Sequence, residues 1–144
     1  MDIVNKIQAA VIDKLLNDGD LMIALNGTDV TGGVYEEEGF MPVAKKTFPR
    51  VHVGTMDDTD SGVEQGSIDD IFIKLNHYSN ASSGLECGVV ESLTRAVLDN
   101  SNICTDIVKC QVIQRQDGYD RGRIEEGKLW RIETIYKVKM GVLL

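Results

Sequence analysis

The stretch from Ile68 to Met140 most constrains the fold, because it reads strand, helix, strand, polar turn, strand. Ile71, Ile73 and Leu75 alternate with Phe72, Lys74 and Asn76, the two-residue period of a half-buried strand. Ser83-Gly84-Leu85-Glu86 matches a capping box, in which Ser83 and Glu86 would satisfy amide donors at a helix start. Behind it Leu85, Val89, Leu93, Ala96 and Val97 fall on one helical face, the stripe expected to pack on a core. Two further strands, near Ile107–Gln116 and Lys128–Met140, flank a polar turn that begins Asp117-Gly118-Tyr119-Asp120-Arg121. In the last strand Trp130, Ile132, Thr134, Tyr136, Val138 and Met140 share the face expected under the helices. Leu129, Arg131, Glu133, Ile135, Lys137 and Lys139 share the other, which is expected to meet solvent or a neighbour.

Upstream, Ile3, Val4, Ile7, Ala10, Val11 and Leu15 recur at helical spacing, which predicts a helix from Asp2 to Leu16 with Asp2 as a cap. Asn17-Asp18-Gly19 should end it, with Gly19 free to turn left-handed. Leu21–Leu25 suits a further helical turn or two, Val34-Tyr35 a short strand, and Arg50–Met56 a strand at whose edge or start Pro49 is tolerated. Thr55–Gly66, with four acidic residues, two Gly and one Val, is too polar to pack and is expected to be a mobile loop. These elements predict an α/β (α+β) fold, a single domain over 1–144. Its mixed or mainly antiparallel sheet has about four strands, with two helices packed on one face. A chain of 144 residues buries roughly 70% of its unfolded surface and needs neither disulfide nor metal to fold.

Charge and cysteine usage limit the function classes. Residues 1–50 carry five Lys/Arg against eight Asp/Glu, residues 51–100 two against nine, and residues 101–144 eight against six. An acidic middle and a mildly basic end suit a head-to-tail contact between copies. Net acidity argues against duplex-DNA binding, which rests on phosphate neutralisation. The longest apolar runs are too short to span a membrane, and the N-terminus lacks a signal peptide's pattern. Cys87, Cys104 and Cys110 match no metal or redox spacing and are expected to be buried small apolar residues. His52 and His77 stand far apart in sequence with no evident catalytic partner. Gly27–Gly33 lacks the Lys-Ser/Thr ending of a phosphate loop, and Asp57-Asp58-Thr59-Asp60 lacks the calcium-loop spacing. No cofactor or metal is expected.

Taken in order, the signals resemble the tail-terminator and minor tail (tail-completion) proteins of long-tailed bacteriophages. The likeness runs through the helix Asp2–Leu16, Gly33-Val34-Tyr35, Phe48-Pro49-Arg50-Val51-His52-Val53-Gly54 and Asp57-Asp58-Thr59-Asp60. It continues through Ile71-Phe72-Ile73-Lys74-Leu75, the helix from Ser83 and the Asp117-Gly118 turn. Arg50 stands where that group typically has an aromatic residue after the proline. The resemblance implies a non-enzymatic virion subunit that closes with itself into a ring, usually a hexamer. Such a ring caps the head-proximal end of the tail tube, ends polymerisation and offers a surface to head–tail connector proteins, while DNA passes without specific binding. It would reside in the virion tail, and in the host cytoplasm during assembly. A head-completion or connector adaptor is the alternative within that class. From other classes come a small cytosolic enzyme with a site around His77, Asp69 and Asp70, and a monomeric adaptor using the charged strand face. Charge and turn position nominate Asp57, Asp58 and Asp60 on one edge, against Arg121, Arg123 and Arg131 on the other, as the subunit or partner interface.

Overall fold

A computed structural model describes residues 3–25, 33–36, 48–55, 70–99, 101–104, 108–115, 120–124 and 129–142. Along the chain run α1 (Ile3–Leu16), α2 (Gly19–Ala24), β1 (Val34–Glu36), β2 (Arg50–Thr55) and β3 (Asp70–Ser79). After them come α3 (Leu85–Leu98), β4 (Ser101–Cys104), β5 (Val108–Arg115), β6 (Asp120–Ile124) and β7 (Leu129–Val142). The mixed α/β class matches the sequence reading, but the described residues form seven strands rather than about four, and three helices rather than two. The segment expected as a polar turn accounts for one of the extra strands. Asp120–Ile124 pairs antiparallel with β7 from Asp120↔Glu133 to Ile124↔Leu129, because backbone pairing requires no apolar side chains. Of the acidic loop expected over Thr55–Gly66, Thr55 closes β2 and residues 56–66 lie outside the described residues.

The strand order is β1-β2-β3-β7-β5-β4, with β6 also on β7. β1 and β2 are parallel and the other pairs antiparallel. β3 pairs with β7 along its whole length, from Asp70↔Lys139 to Ser79↔Trp130. β5 and β6 then share the second edge of β7, β5 opposite 136–142 and β6 opposite 129–133. Pro49, preceded by a cis peptide bond, stands just before β2. It therefore removes no ladder donor although β2 is an interior strand between β1 and β3.

The core follows the predicted stripe of α1. Ile7, Val11 and Leu15 are buried against Val51, Val53, Ile73, Leu75, Tyr136 and Val138, with Leu21 of α2 and Leu25 at its C-cap. The buried Gln8 amide donates to the Val53 carbonyl at 2.7 Å, tying α1 to β2. α1 also touches β1 and, from the far end of the strand order, β4, so one helix bridges both flanks of the sheet. Gly19 does not end α1 in a left-handed turn. It opens α2, where the Asp18 carboxylate caps by accepting from the Leu21 amide. An acceptor side chain before a new helix satisfies donors that a glycine turn would leave to water.

Strand β3 departs from the half-buried expectation in its second half: Asn76, His77, Tyr78 and Ser79 are all buried. On the face away from the helices, His52 sits between Tyr35, 5.5 Å between ring centroids, and Tyr78, 5.1 Å in an edge-on arrangement. Beside them the fully buried Arg50 lies 4.2 Å over the Phe48 ring. The alternation of β7 holds for Ile132, Thr134, Tyr136 and Val138. Leu129, placed on the solvent face by alternation, is buried as well.

Gly33 has φ +85° at the entry to β1, and a Cβ there would stand 3.1 Å from the Leu25 Cβ. Gly33→Ala is expected to lower stability by about 1–2 kcal/mol, read as an earlier urea midpoint with an unchanged slope.

Candidate functional site

Helix α3 is rotated from its predicted face, and the rotation creates the surface of interest. Its buried residues are Cys87, Val90, Glu91, Thr94 and Leu98, while Leu85 is 73% and Val89 47% exposed. Leu93 and Val97 only partly pack against the core. The cause is polar. His77 of β3, fully buried, has Nδ1 2.8 Å from the Ile132 carbonyl of β7 and Nε2 2.7 Å from the Thr94 hydroxyl. The Cys87 thiol donates to the His77 carbonyl at 3.1 Å. Cys87 and Thr94, two turns apart, must therefore face β3. At 100° per residue that leaves Leu85 and Val89 about 160° away from Cys87.

The protonation of this node follows from its partners. A carbonyl only accepts, so Nδ1 carries the proton; the Thr94 hydroxyl lies within hydrogen-bond distance of both Nε2 and the Glu91 carbonyl, 2.9 Å away, and has one proton for the two. Burial lowers the His77 pKa from 6.5 to about 4, against the raising influence of the Ile132 carbonyl and Glu91. Burial likewise pushes the Cys87 thiol up to about 12, so it is a packed, un-ionised side chain. Glu91, 2% exposed, is paired with Arg95 at 2.6 Å one turn along.

The capping box does not form. Gly84 is the N-cap without a side-chain hydrogen bond, because Ser79 Oγ captures Glu86 Oε1 at 2.6 Å and Ser83 Oγ lies 3.4 Å from the Leu85 amide. Arg121 from β6 instead donates to the Gly84 carbonyl at 3.3 Å, its guanidinium 5.8 Å over the Trp130 ring. The approach is close enough that a Cβ on Gly84 would meet Arg121 Nη2 at 2.6 Å and the Trp130 ring at 3.1 Å. Between this latch and the outer face of α3 runs a groove of about 440 Å³, its walls including Leu85, Gly88, Val89, Arg95 and Arg121.

Among the residues nominated from sequence, Asp57, Asp58 and Asp60 lie outside the described residues. Arg121 borders the groove while also holding the start of α3. Arg131 pairs with Asp120 across the β6–β7 hairpin at 2.8 Å. Arg123 takes the register position opposite Trp130. Arg121 stands opposite Ile132 on the helix side, whereas Arg131 neighbours Ile132 in β7 and belongs to the other face, so these two are not brought together. Leu85 and Val89 were expected inside and give the groove its exposed apolar floor. Only the polar residues at the His77-facing positions, Glu91 and Thr94, hinted at the rotation. His77 is sealed from solvent, and Asp69 lies outside the described residues. Among the described residues no group of three or more His, Cys, Asp or Glu side chains is placed to hold a metal, and no helix is long and apolar enough to cross a membrane.

No protein-family model matches the chain, and no curated protein matches it. Among solved structures the fold is similar to a chain from "Virion of native gene transfer agent (GTA) particle". The TM-score is 0.67 at 17% identity, over 94% of this chain and 95% of that one. The two share a fold over nearly their full lengths.

The His77 node gives a pH dependence whose sign can be worked out. The folded imidazole titrates near 4 and the unfolded one near 6.5, so between those values only the unfolded chain binds the proton. The contribution is complete above pH 6.5 and is lost as pH falls towards 4, about 3 kcal/mol in all. Wild-type unfolding free energy should therefore fall more steeply over that window than that of His77→Gln, measured by urea titration at each pH. An equal slope in the two proteins would remove His77 from the account.

Proposed function

We propose that this chain is a structural subunit of a phage-like virion, acting as a tail terminator. Copies close into a ring on the end of the tail tube, stop its growth and present a surface to the head connector. The observation that carries the reading is the fold shared with the virion chain along 94% of this sequence, which meets the independent resemblance in the order of sequence signals. The disposition of side chains supports it. Of the groups suited to chemistry, His77 and Glu91 are enclosed and hydrogen-bonded within the fold, while the surface carries an apolar helix face beside guanidinium groups. Such a surface is made for contact with another protein.

In this role the net charge of −8 disfavours adhesion of the ring to the DNA that crosses it. The acidic middle and basic end of the chain serve as opposite edges of neighbouring subunits, since only a heterologous contact repeats around a ring.

The test is native mass spectrometry over a wide concentration range, with and without purified tail tubes. A closed oligomer, or one formed only on tube ends with tube growth halted, is the expected result. A monomer that leaves tube length unchanged would overturn the reading, and binding to portal complexes instead of tubes would transfer the protein to the head-completion role.

A further inference from the structure

We propose that the groove between α1 and the outer strand β1 is a binding site for an arginine carried on an extended segment of a partner protein. The inference goes beyond the virion reading and does not depend on it. The groove has a volume of about 570 Å³, within the range of sites that hold a small ligand or a side chain with its flanking backbone. Ala9, Ile12 and Leu16 of α1 give it an aliphatic wall, and Gln8, Asp13 and Glu36 supply polar atoms. Among the described residues no lysine or arginine lines it.

Exposed carboxylates alone are ordinary, and Gln8 is the reason to read a site here. Gln8 is only 9% exposed, and its Nε2 donates to the Val53 carbonyl at 2.7 Å. A carbonyl only accepts, so the amide has one orientation and Oε1 is left as an acceptor. Among the described residues no donor reaches that oxygen, yet it is not closed off from the surface. The groove is the opening through which a donor from outside can meet it. Val53 is the register partner of Glu36, so the amide is anchored at the rung that carries this carboxylate. Among the described strands β1 is the last on that side of the sheet, and Glu36 is exposed there. Asp13, exposed as well, lies five residues along α1 from Gln8, about 7.5 Å farther along the axis. Among the described residues neither carboxylate has an ion pair or a side-chain hydrogen bond.

The chemistry of the visitor follows from these groups. Acceptors set along an aliphatic wall call for an apolar stem, a positive charge and several N–H donors pointing apart. Arginine has all three, whereas lysine brings a compact charge on a single nitrogen. From Ala9 to Leu16 the helix rises about 10 Å, the length of three residues of extended chain. The described arginine side chains of this protein are already committed. Arg95 pairs with Glu91 and Arg131 with Asp120, Arg121 holds the Gly84 carbonyl, and Arg50 is fully buried. That favours a different protein as the source of the arginine.

The test is a titration of isotope-labelled full-length protein followed by NMR. The probe is a capped pentapeptide of alanine and valine with a central arginine, and the control carries norleucine in its place. The expected result is saturable shifts at Ala9, Ile12, Asp13 and Glu36 and at the side-chain amide of Gln8. The control should bind about tenfold more weakly or worse. Asp13→Asn combined with Glu36→Gln, both at exposed positions, should keep the wild-type spectrum elsewhere and weaken the arginine peptide by a similar factor. Absence of saturable shifts, equal binding of the control, or shifts that the double variant leaves unchanged would overturn the site while the virion reading stands. Shifts at these residues on raising the protein's own concentration, without peptide, would overturn the separate partner and make a second copy the occupant.

Discussion

The antiparallel pairing of β3 with β7 is the constraint on which the rest of the structure depends. It joins ten residues of β3 to 130–139 and supplies both the floor for the helices and the edges for the remaining strands. Ile73, Leu75 and His77 on one strand stand opposite Tyr136, Thr134 and Ile132 on the other, and all six are buried. His77 extends the pairing into the helical layer, because one imidazole bonds β7 through Ile132 and α3 through Thr94. Inside a protein a lost partner leaves a donor or acceptor with its full desolvation penalty, about 1–3 kcal/mol. That asymmetry fixes the roll of α3 more sharply than aliphatic contact does, since Leu, Val and Ala tolerate being turned by a residue or two.

This explains which parts were legible in the sequence. α1 was, because Ile7, Val11 and Leu15 carry an unbroken apolar stripe with nothing polar competing for the core. β2, β3 and β7 were, through alternation and β-branched content. α3 was legible as a helix but not in its orientation. Its apolar residues suggested Leu85 and Val89 as the inward face, while the face that went inward includes Cys87, Glu91 and Thr94. A sequence pattern scores Glu91 as a surface residue and cannot see that Arg95 neutralises it or that His77 awaits Thr94. The capping box failed for a related reason, since Ser79, four residues before Ser83, captured Glu86. β6 was invisible because Asp120, Arg121 and Arg123 promise a turn, and only the free edge of β7 makes them a strand. Of the residues nominated from charge and turn position, Arg121 borders the groove. The apolar half of the groove was missed because it was assigned to the core.

A chain with two histidines and a buried Arg, Asn and Glu could be suspected of hiding a catalytic site. Among the described residues these groups are packed within the fold. His52 is enclosed by two tyrosines, Arg50 by Phe48 and its surroundings, and His77 and Glu91 by bonds within the fold. Their common effect is to hold helix and sheet in one relation to each other.

Rigidity of that kind has a use where a surface must be presented in a fixed direction. Leu85 and Val89 belong to the same helix that His77 and Cys87 hold, and Arg121 clamps the start of that helix while bordering the groove beside them. Exposed aliphatic residues scattered singly are ordinary on protein surfaces. A pair one turn apart, bordered by guanidinium groups and braced from beneath by buried hydrogen bonds, is a pre-formed surface whose ordering cost is met in folding rather than in assembly. The polar node under α3 and the arginine latch at its start fix the direction in which that surface is presented.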